Sequence, residues 1–275
     1  MFITINGGNH SSNWETATSG VPQVSVLGPL LFTIYINDLP HIIQQFAKPV
    51  IYADGTNILI QATNIMELHA KVSDTNTIKE WFLANGLTLN LDKTNIIKFS
   101  PQKRKEEHNH LSYLNVIKET DSLKFLGLEL DKFLHWKNHI DKLLPKLSSA
   151  CFVIRPMLSH CNTTTTKMIY FSYFHSILEY GIAFWANSNE SDKVFKLQKR
   201  VIRLTGNNVR TSCRPLFPRL GIMTLSSQYI FSLMRFLSRN LQLYIVNFII
   251  HNYSKRYRIQ LQTPSTALTL YQKGL

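Results

Sequence analysis

The last eighty positions of this 275-residue chain contain no aspartate and no glutamate. Residues 196–275 carry 13 Lys/Arg, whereas residues 1–195 carry 17 Lys/Arg and 17 Asp/Glu, so the whole net charge of +13 belongs to the C-terminal part. A field of one sign excludes an acidic, cation-collecting surface there. It attracts polyanions, and for a nucleic-acid backbone the affinity is salt-dependent. A surface that is basic only for solubility has the same composition. Cysteine is scarce too. Cys151, Cys161 and Cys213 are odd in number and widely spaced, with no Cys-x-x-Cys pair. That argues against a disulfide framework or a zinc knuckle and for free thiols in a reducing compartment. Long apolar runs are missing: Leu241 to Ile250 is the most apolar, yet it is too short to span a bilayer and contains Asn247. Met1-Phe2-Ile3-Thr4-Ile5-Asn6 lacks the basic start of a secretory signal. The expectation is a soluble intracellular protein, nuclear or cytoplasmic, with no membrane partner.

A hydrophobic content of 44% with 17% charged residues places the chain among folded proteins, long enough for one large core or two modest ones. Leu30, Leu31, Ile34, Tyr35 and Leu39 recur at helical spacing, which predicts a helix over about 29–38 with Pro40 breaking it. A hairpin is predicted over 50–61. Ile65, Leu68, Val72, Ile78, Trp81 and Phe82 form a helical stripe ending near Asn85-Gly86. Leu87 to Leu91 and Ile96 to Phe99 read as two strands around Asp92-Lys93-Thr94, and Leu123 to Leu130 as one strand bent at a central glycine. Beyond position 135 the pattern turns helical, near 136–158, 164–186, 190–205 and 226–250. The fold class is therefore α+β, with a domain boundary near 134/135.

The segment with the most chemistry is Ile51-Tyr52-Ala53-Asp54-Gly55-Thr56-Asn57-Ile58-Leu59, an apolar pair of strands with a carboxylate at the reversal. Thirty residues upstream lies Ser19-Gly20-Val21-Pro22-Gln23-Val24-Ser25-Val26-Leu27-Gly28-Pro29-Leu30-Leu31-Phe32. In this order and spacing the two segments resemble the palm of a reverse transcriptase from a jockey-like non-LTR retrotransposon. The family pattern at the hairpin is Tyr-Ala-Asp-Asp; here it is Tyr-Ala-Asp-Gly. Taken alone, an Asp-Gly pair is also what an ordinary type I′ turn uses.

The resemblance implies a partial palm over 1–134, an antiparallel sheet with packed helices, and a mostly helical thumb and basic C-terminal region over 135–275. It implies an RNA template, a DNA primer and deoxynucleotides as partners, and magnesium as cofactor. Nucleotidyl transfer uses two divalent ions roughly 3.5–4 Å apart, and magnesium wants converging carboxylate oxygens. Asp54 corresponds to the first aspartate of the family's hairpin pair and is the metal ligand carried over; Gly55 stands where the second belongs. The family's strand aspartate precedes the Gly-Val-Pro-Gln motif, and none of the eighteen residues before Ser19 is Asp. The expectation is a truncated, degenerate copy without fingers and with negligible polymerase activity. A non-catalytic nucleic-acid-binding remnant, or a decayed reading frame with no selected role, are the other readings.

By the same resemblance Gly20, Pro22, Gln23, Tyr52 and Ala53 shape the nucleotide and template site. Val24 stands where the family has glycine. Lys93 occupies the place of a lysine near the nucleotide, though a solvated turn lysine looks the same in sequence. Phe125, Leu126 and Gly127 resemble the primer grip, and an ordinary strand fits them too. Leu178-Glu179-Tyr180-Gly181 and Leu197-Gln198-Lys199-Arg200 are similar to the post-palm region. Lys196, Lys199, Arg200 and Arg203 recur on one helical face, and Lys255, Arg256 and Arg258 alternate with Tyr253 and Tyr257, a pattern suited to single strands. His135 and His139 stand four apart, and without a third ligand they read as an exposed pair at a helix start.

Overall fold

The computed structural model describes residues 25–53, 55–99, 117–157, 160–206 and 212–244. These fall into two compact units, the first drawn from Met1–Thr94 and Glu106–Lys118, the second from Asn95–Lys105 and Glu119–Leu275. The architecture is mixed: helices with small antiparallel hairpins.

Among the described residues the first unit begins with helix α1 (Gly28–Tyr35) and helix α2 (Leu39–Ile43). Pro29 and Pro40 both lie in first turns, so Pro40 starts the second helix as well as ending the first. Strands β1 (Lys48–Tyr52) and β2 (Gly55–Leu59) pair antiparallel from Lys48↔Leu59 to Tyr52↔Gly55. The stripe expected as one helix is two, α3 (Ile65–Ser73) and α4 (Thr75–Ala84). Asn64 caps α3: its Oδ1 accepts from the Glu67 N–H at 2.8 Å, and the Glu67 carboxylate accepts from the Thr63 N–H at 2.8 Å. Gly86 at φ +66 ends α4 as foreseen. The core gathers Ile36, Leu39, Ile43, Ile78 and Trp81, with Ile51 and Ile58 of the hairpin packed against it. The Trp81 indole N–H donates to Asp38 at 3.2 Å, so its buried polar atom is satisfied.

Of the two strands expected around Asp92, only the two-residue β3 (Asn95–Ile96) forms; it is followed by β4 (Lys118–Glu119). Leu87–Leu91 has alternation but, among the described residues, no partner strand. The predicted bent strand at 123–130 is instead a hairpin, β5 (Ser122–Phe125) and β6 (Leu128–Asp131), with Phe125↔Leu128 the last pair. The glycine marks the turn, not a bend. After it, the Asp131 carboxylate accepts from the N–H groups of Phe133, His135 and Trp136 at 3.1, 3.0 and 3.0 Å, leading the chain into α5 (Lys137–Met157).

The region foreseen as a helix over 164–186 is interrupted. Helix α6 (Thr163–Ile169) runs into a π-helical turn over Tyr170–His175, then α7 (Ser176–Glu179); Gly181 at φ +64 breaks the path before α8 (Ile182–Trp185). Helix α9 (Ser191–Thr205) ends at Gly206, and α10 (Leu216–Leu220) and α11 (Leu225–Arg239) follow. The core of this unit is built on Ile140, Leu147, Ile154, Tyr170, Phe174, Leu178, Trp185 and Val201, all fully buried. Burying side chains of this size contributes about 1.5–3 kcal/mol each. Gln198, also fully buried, donates to Tyr170 Oη at 3.2 Å and the Met223 carbonyl at 2.9 Å and accepts from the Leu225 N–H at 2.9 Å. Burial pushes the Tyr170 hydroxyl up to about 12. Among the described residues no helix is long and apolar enough to cross a membrane.

Candidate functional site

In the first unit the hairpin pairs Tyr52 with Gly55 at its end. Gly55 is thus a strand residue, not the turn glycine of an Asp-Gly reversal. Ala53 takes φ +51, a left-handed conformation that costs an L-residue roughly 1–2 kcal/mol. Tyr52 is 66% exposed, its ring open to a ligand. A Cβ on Gly55 would lie 3.2 Å from the Tyr52 carbonyl oxygen, a tight approach that a small shift relieves. Asp54 lies outside the described residues, as do Gly20, Pro22 and Gln23. Lys93 is exposed in a turn, and its N–H donates to Asn90 Oδ1 at 3.2 Å. Among the described residues no group of three or more His, Cys, Asp or Glu is placed to hold a metal ion.

The second unit gathers two sets of named residues. Phe125, Leu126 and Gly127 form the tip of the β5–β6 hairpin, with Leu126 at φ +43 and Gly127 at φ +83. Two positive φ values in a two-residue loop make a type I′ turn. The Tyr180 hydroxyl donates to the Leu126 carbonyl, and the tip borders a cavity of about 290 Å³ backed by His139, Leu143 and Lys146. His139 is buried, contrary to the exposed pair foreseen with His135. Its Nδ1 accepts from the Glu129 N–H at 3.4 Å, while its Nε2 is buried without a hydrogen-bond partner. Burial, aided by the Lys146 charge and opposed by Glu129, holds the imidazole below its usual pKa. Helical spacing from Trp136 gave no sign of this, because Trp136 at φ +64 is not yet helical.

Helix α9 separates its faces cleanly. Val194, Gln198, Val201, Ile202 and Thr205 are buried, whereas Lys196 and Arg200 are exposed and Lys199 and Arg203 half-buried. Lys199 lays its ammonium 4.1 Å from the Phe195 ring centroid, a cation–π contact that holds the stem along the helix. The acids nearest in sequence sit at the helix start, where Glu190 pairs with Lys193 at 2.5 Å. Lys255, Arg256 and Arg258 lie outside the described residues. Sequence reasoning missed the roles of Asp131 and Tyr180; the one signal available was the lone Gly181 inside a helical pattern.

Residues 2–130 match the family described as reverse transcriptase (RNA-dependent DNA polymerase). Among curated proteins the chain is similar to the RNA-directed DNA polymerase from mobile element jockey of Drosophila melanogaster, 23% identical over 218 residues, covering 74% of this chain and 23% of the relative. It is similar to a probable RNA-directed DNA polymerase from transposon X-element of the same species, 25% identical, covering 70% of this chain and 22% of the relative. A third, from transposon BS, is 26% identical over 208 residues, 67% of this chain and 22% of the relative. The chain spans less than a quarter of the length of these relatives. No solved structure matches it. Residues 2–130 thus match the reverse transcriptase family, and the curated relatives are named as RNA-directed DNA polymerases of mobile elements and transposons.

Proposed function

We propose that this chain is a partial reverse transcriptase palm, residues 1–134, followed by a helical thumb and basic tail, residues 135–275, that binds primed RNA or DNA without extending it. The observation that carries the reading is the hairpin sequence Tyr52-Ala53-Asp54-Gly55 inside a matched reverse transcriptase segment. A two-ion centre holds its magnesium ions with several converging carboxylates, one of which bridges both. Here the hairpin offers a single carboxylate, because Gly55 has no side chain. Such a donor set does not fit two adjacent magnesium ions.

Binding needs less. The cationic outer face of α9 neutralises phosphates, while its apolar inner face is consumed by the core, so the charge is presented without cost to packing. Phe125, Leu126 and Gly127 serve as the primer grip, and Gly20, Pro22, Gln23, Tyr52, Ala53 and Lys93 as the vestige of the nucleotide and template site. Lys255, Arg256 and Arg258 supply further cations for phosphate contacts. Fluorescence anisotropy with single-stranded RNA over a salt series tests the reading. Affinity falls steeply with salt if it holds; affinity independent of salt, or none at low salt, overturns it.

A further inference from the structure

The turn at Leu126–Gly127 is one that its own sequence does not favour. Type I′ loops want Asn, Asp or Gly at the first position, and Leu126 sits there at φ +43. Strain of this kind persists only where the surroundings over-determine it. Below the tip lies the 290 Å³ cavity, so packing from beneath does not supply the constraint. Tyr180 does. Its hydroxyl donates to the Leu126 carbonyl, and its ring lies against Gly127, where an added Cβ would come 3.1 Å from Cε1. Tyr180 is fixed in turn, since its carbonyl accepts from the indole N–H of fully buried Trp185 at 3.1 Å. Yet Tyr180 and Leu126 are 54% and 47% exposed, so hydrophobic burial does not explain why they meet.

We infer that Tyr180 is a positioning residue: its hydroxyl locks the Leu126–Gly127 tip in the left-handed turn that meets the 3′ end of a primer. The primer end of this inference rests on the primer-grip reading of Phe125–Gly127 proposed above; the lock itself does not. Tyr180→Phe keeps the ring and removes only the donor, which leaves the cavity-side turn free to relax.

The test uses the full chain. Amide hydrogen exchange across residues 122–131 accelerates roughly three- to tenfold in Tyr180→Phe, while exchange in residues 137–157 stays unchanged. Unchanged exchange in the hairpin overturns the lock. Affinity for an RNA–DNA hybrid with a recessed 3′ end is then compared with a blunt hybrid of the same length. The wild-type chain prefers the recessed end, and Tyr180→Phe loses that preference while keeping its affinity for single-stranded RNA. Gly127→Ala, which crowds the same contact from the other side, loses it as well. If both variants keep the preference, the primer role of Tyr180 is overturned. A wild-type chain with no end preference, but with hairpin exchange that responds to Tyr180→Phe, overturns the primer-grip reading and leaves the lock standing.

Discussion

Gly181 makes room for Leu128: a Cβ built on the glycine would stand 2.6 Å from Leu128 Cδ2. The glycine is also at φ +64, so it is required twice, once for backbone conformation and once for space. Gly221, in the same unit, takes φ +62 but meets only the mobile end of Lys167 at 3.2 Å. Gly221→Ala therefore lowers unfolding stability by about 1–2 kcal/mol from backbone strain alone. Gly181→Ala lowers it by a further 1–3 kcal/mol, roughly, from overpacking. Urea denaturation midpoints of the two variants check the order, and equal losses would show that Leu128 moves aside freely.

The hairpin turn gives an opposite case. Leu126 occupies a position where Asn-Gly is the favoured pair. Leu126→Asn raises stability by about 0.5–1 kcal/mol, since asparagine tolerates φ +43 and little buried surface is lost. A lower thermal midpoint for this variant would mean that the leucine side chain packs more than its exposure suggests.

A buried histidine, His139, and a half-buried one, His175, make the fold sensitive to mild acid. Burial lowers the pKa of His139, with Lys146 adding and Glu129 opposing, and lowers that of His175, opposed by Glu179 at 3.6 Å. With the folded pKa below the ordinary 6.5, the unfolded chain binds protons that the folded chain refuses. Stability is fully present above about pH 6.5 and declines as pH falls toward the folded values. Glu67, held at about 2 by Lys71, titrates below this window. Denaturation midpoints at pH 7.5 and 5.5 test the sign, and His139→Asn removes part of the difference. Equal midpoints for the wild-type chain would contradict it.

Much of the fold was legible because periodicity and punctuation agreed. The stripe of α5 and the glycines at 86 and 206 placed helix and ends within a residue or two. Failures came where a local pattern needed a distant partner. Leu87, Leu89 and Leu91 alternate like a strand but have no ladder to join among the described residues. The run 164–186 reads as one helix, yet Gly181 turns left-handed, and Leu128, far away in sequence, fills the space a side chain there would need. His139 looked exposed since nothing local announces that Asp131 ties down the backbone leading into α5 or that His139 meets the Glu129 N–H. Of the candidate site, the residues of the Tyr52–Gly55 hairpin and the α9 basic face were readable from pattern; Tyr180 was not, because its partner lies 54 residues away.

The α9 face sets a quantitative expectation. Lys196→Ala with Arg200→Ala removes two exposed cations without touching the buried face. For single-stranded RNA each lost phosphate contact reduces the slope of log affinity against log salt by about 0.7, so the double variant loses roughly 1.4. An unchanged slope would place the binding charge elsewhere.

Primer extension on an RNA template, with magnesium or manganese and all four deoxynucleotides, addresses the shortage of carboxylates directly. The purified chain binds the primed template and adds no nucleotide. Template-directed incorporation that disappears in Asp54→Ala would contradict the account and show that a lone hairpin carboxylate suffices.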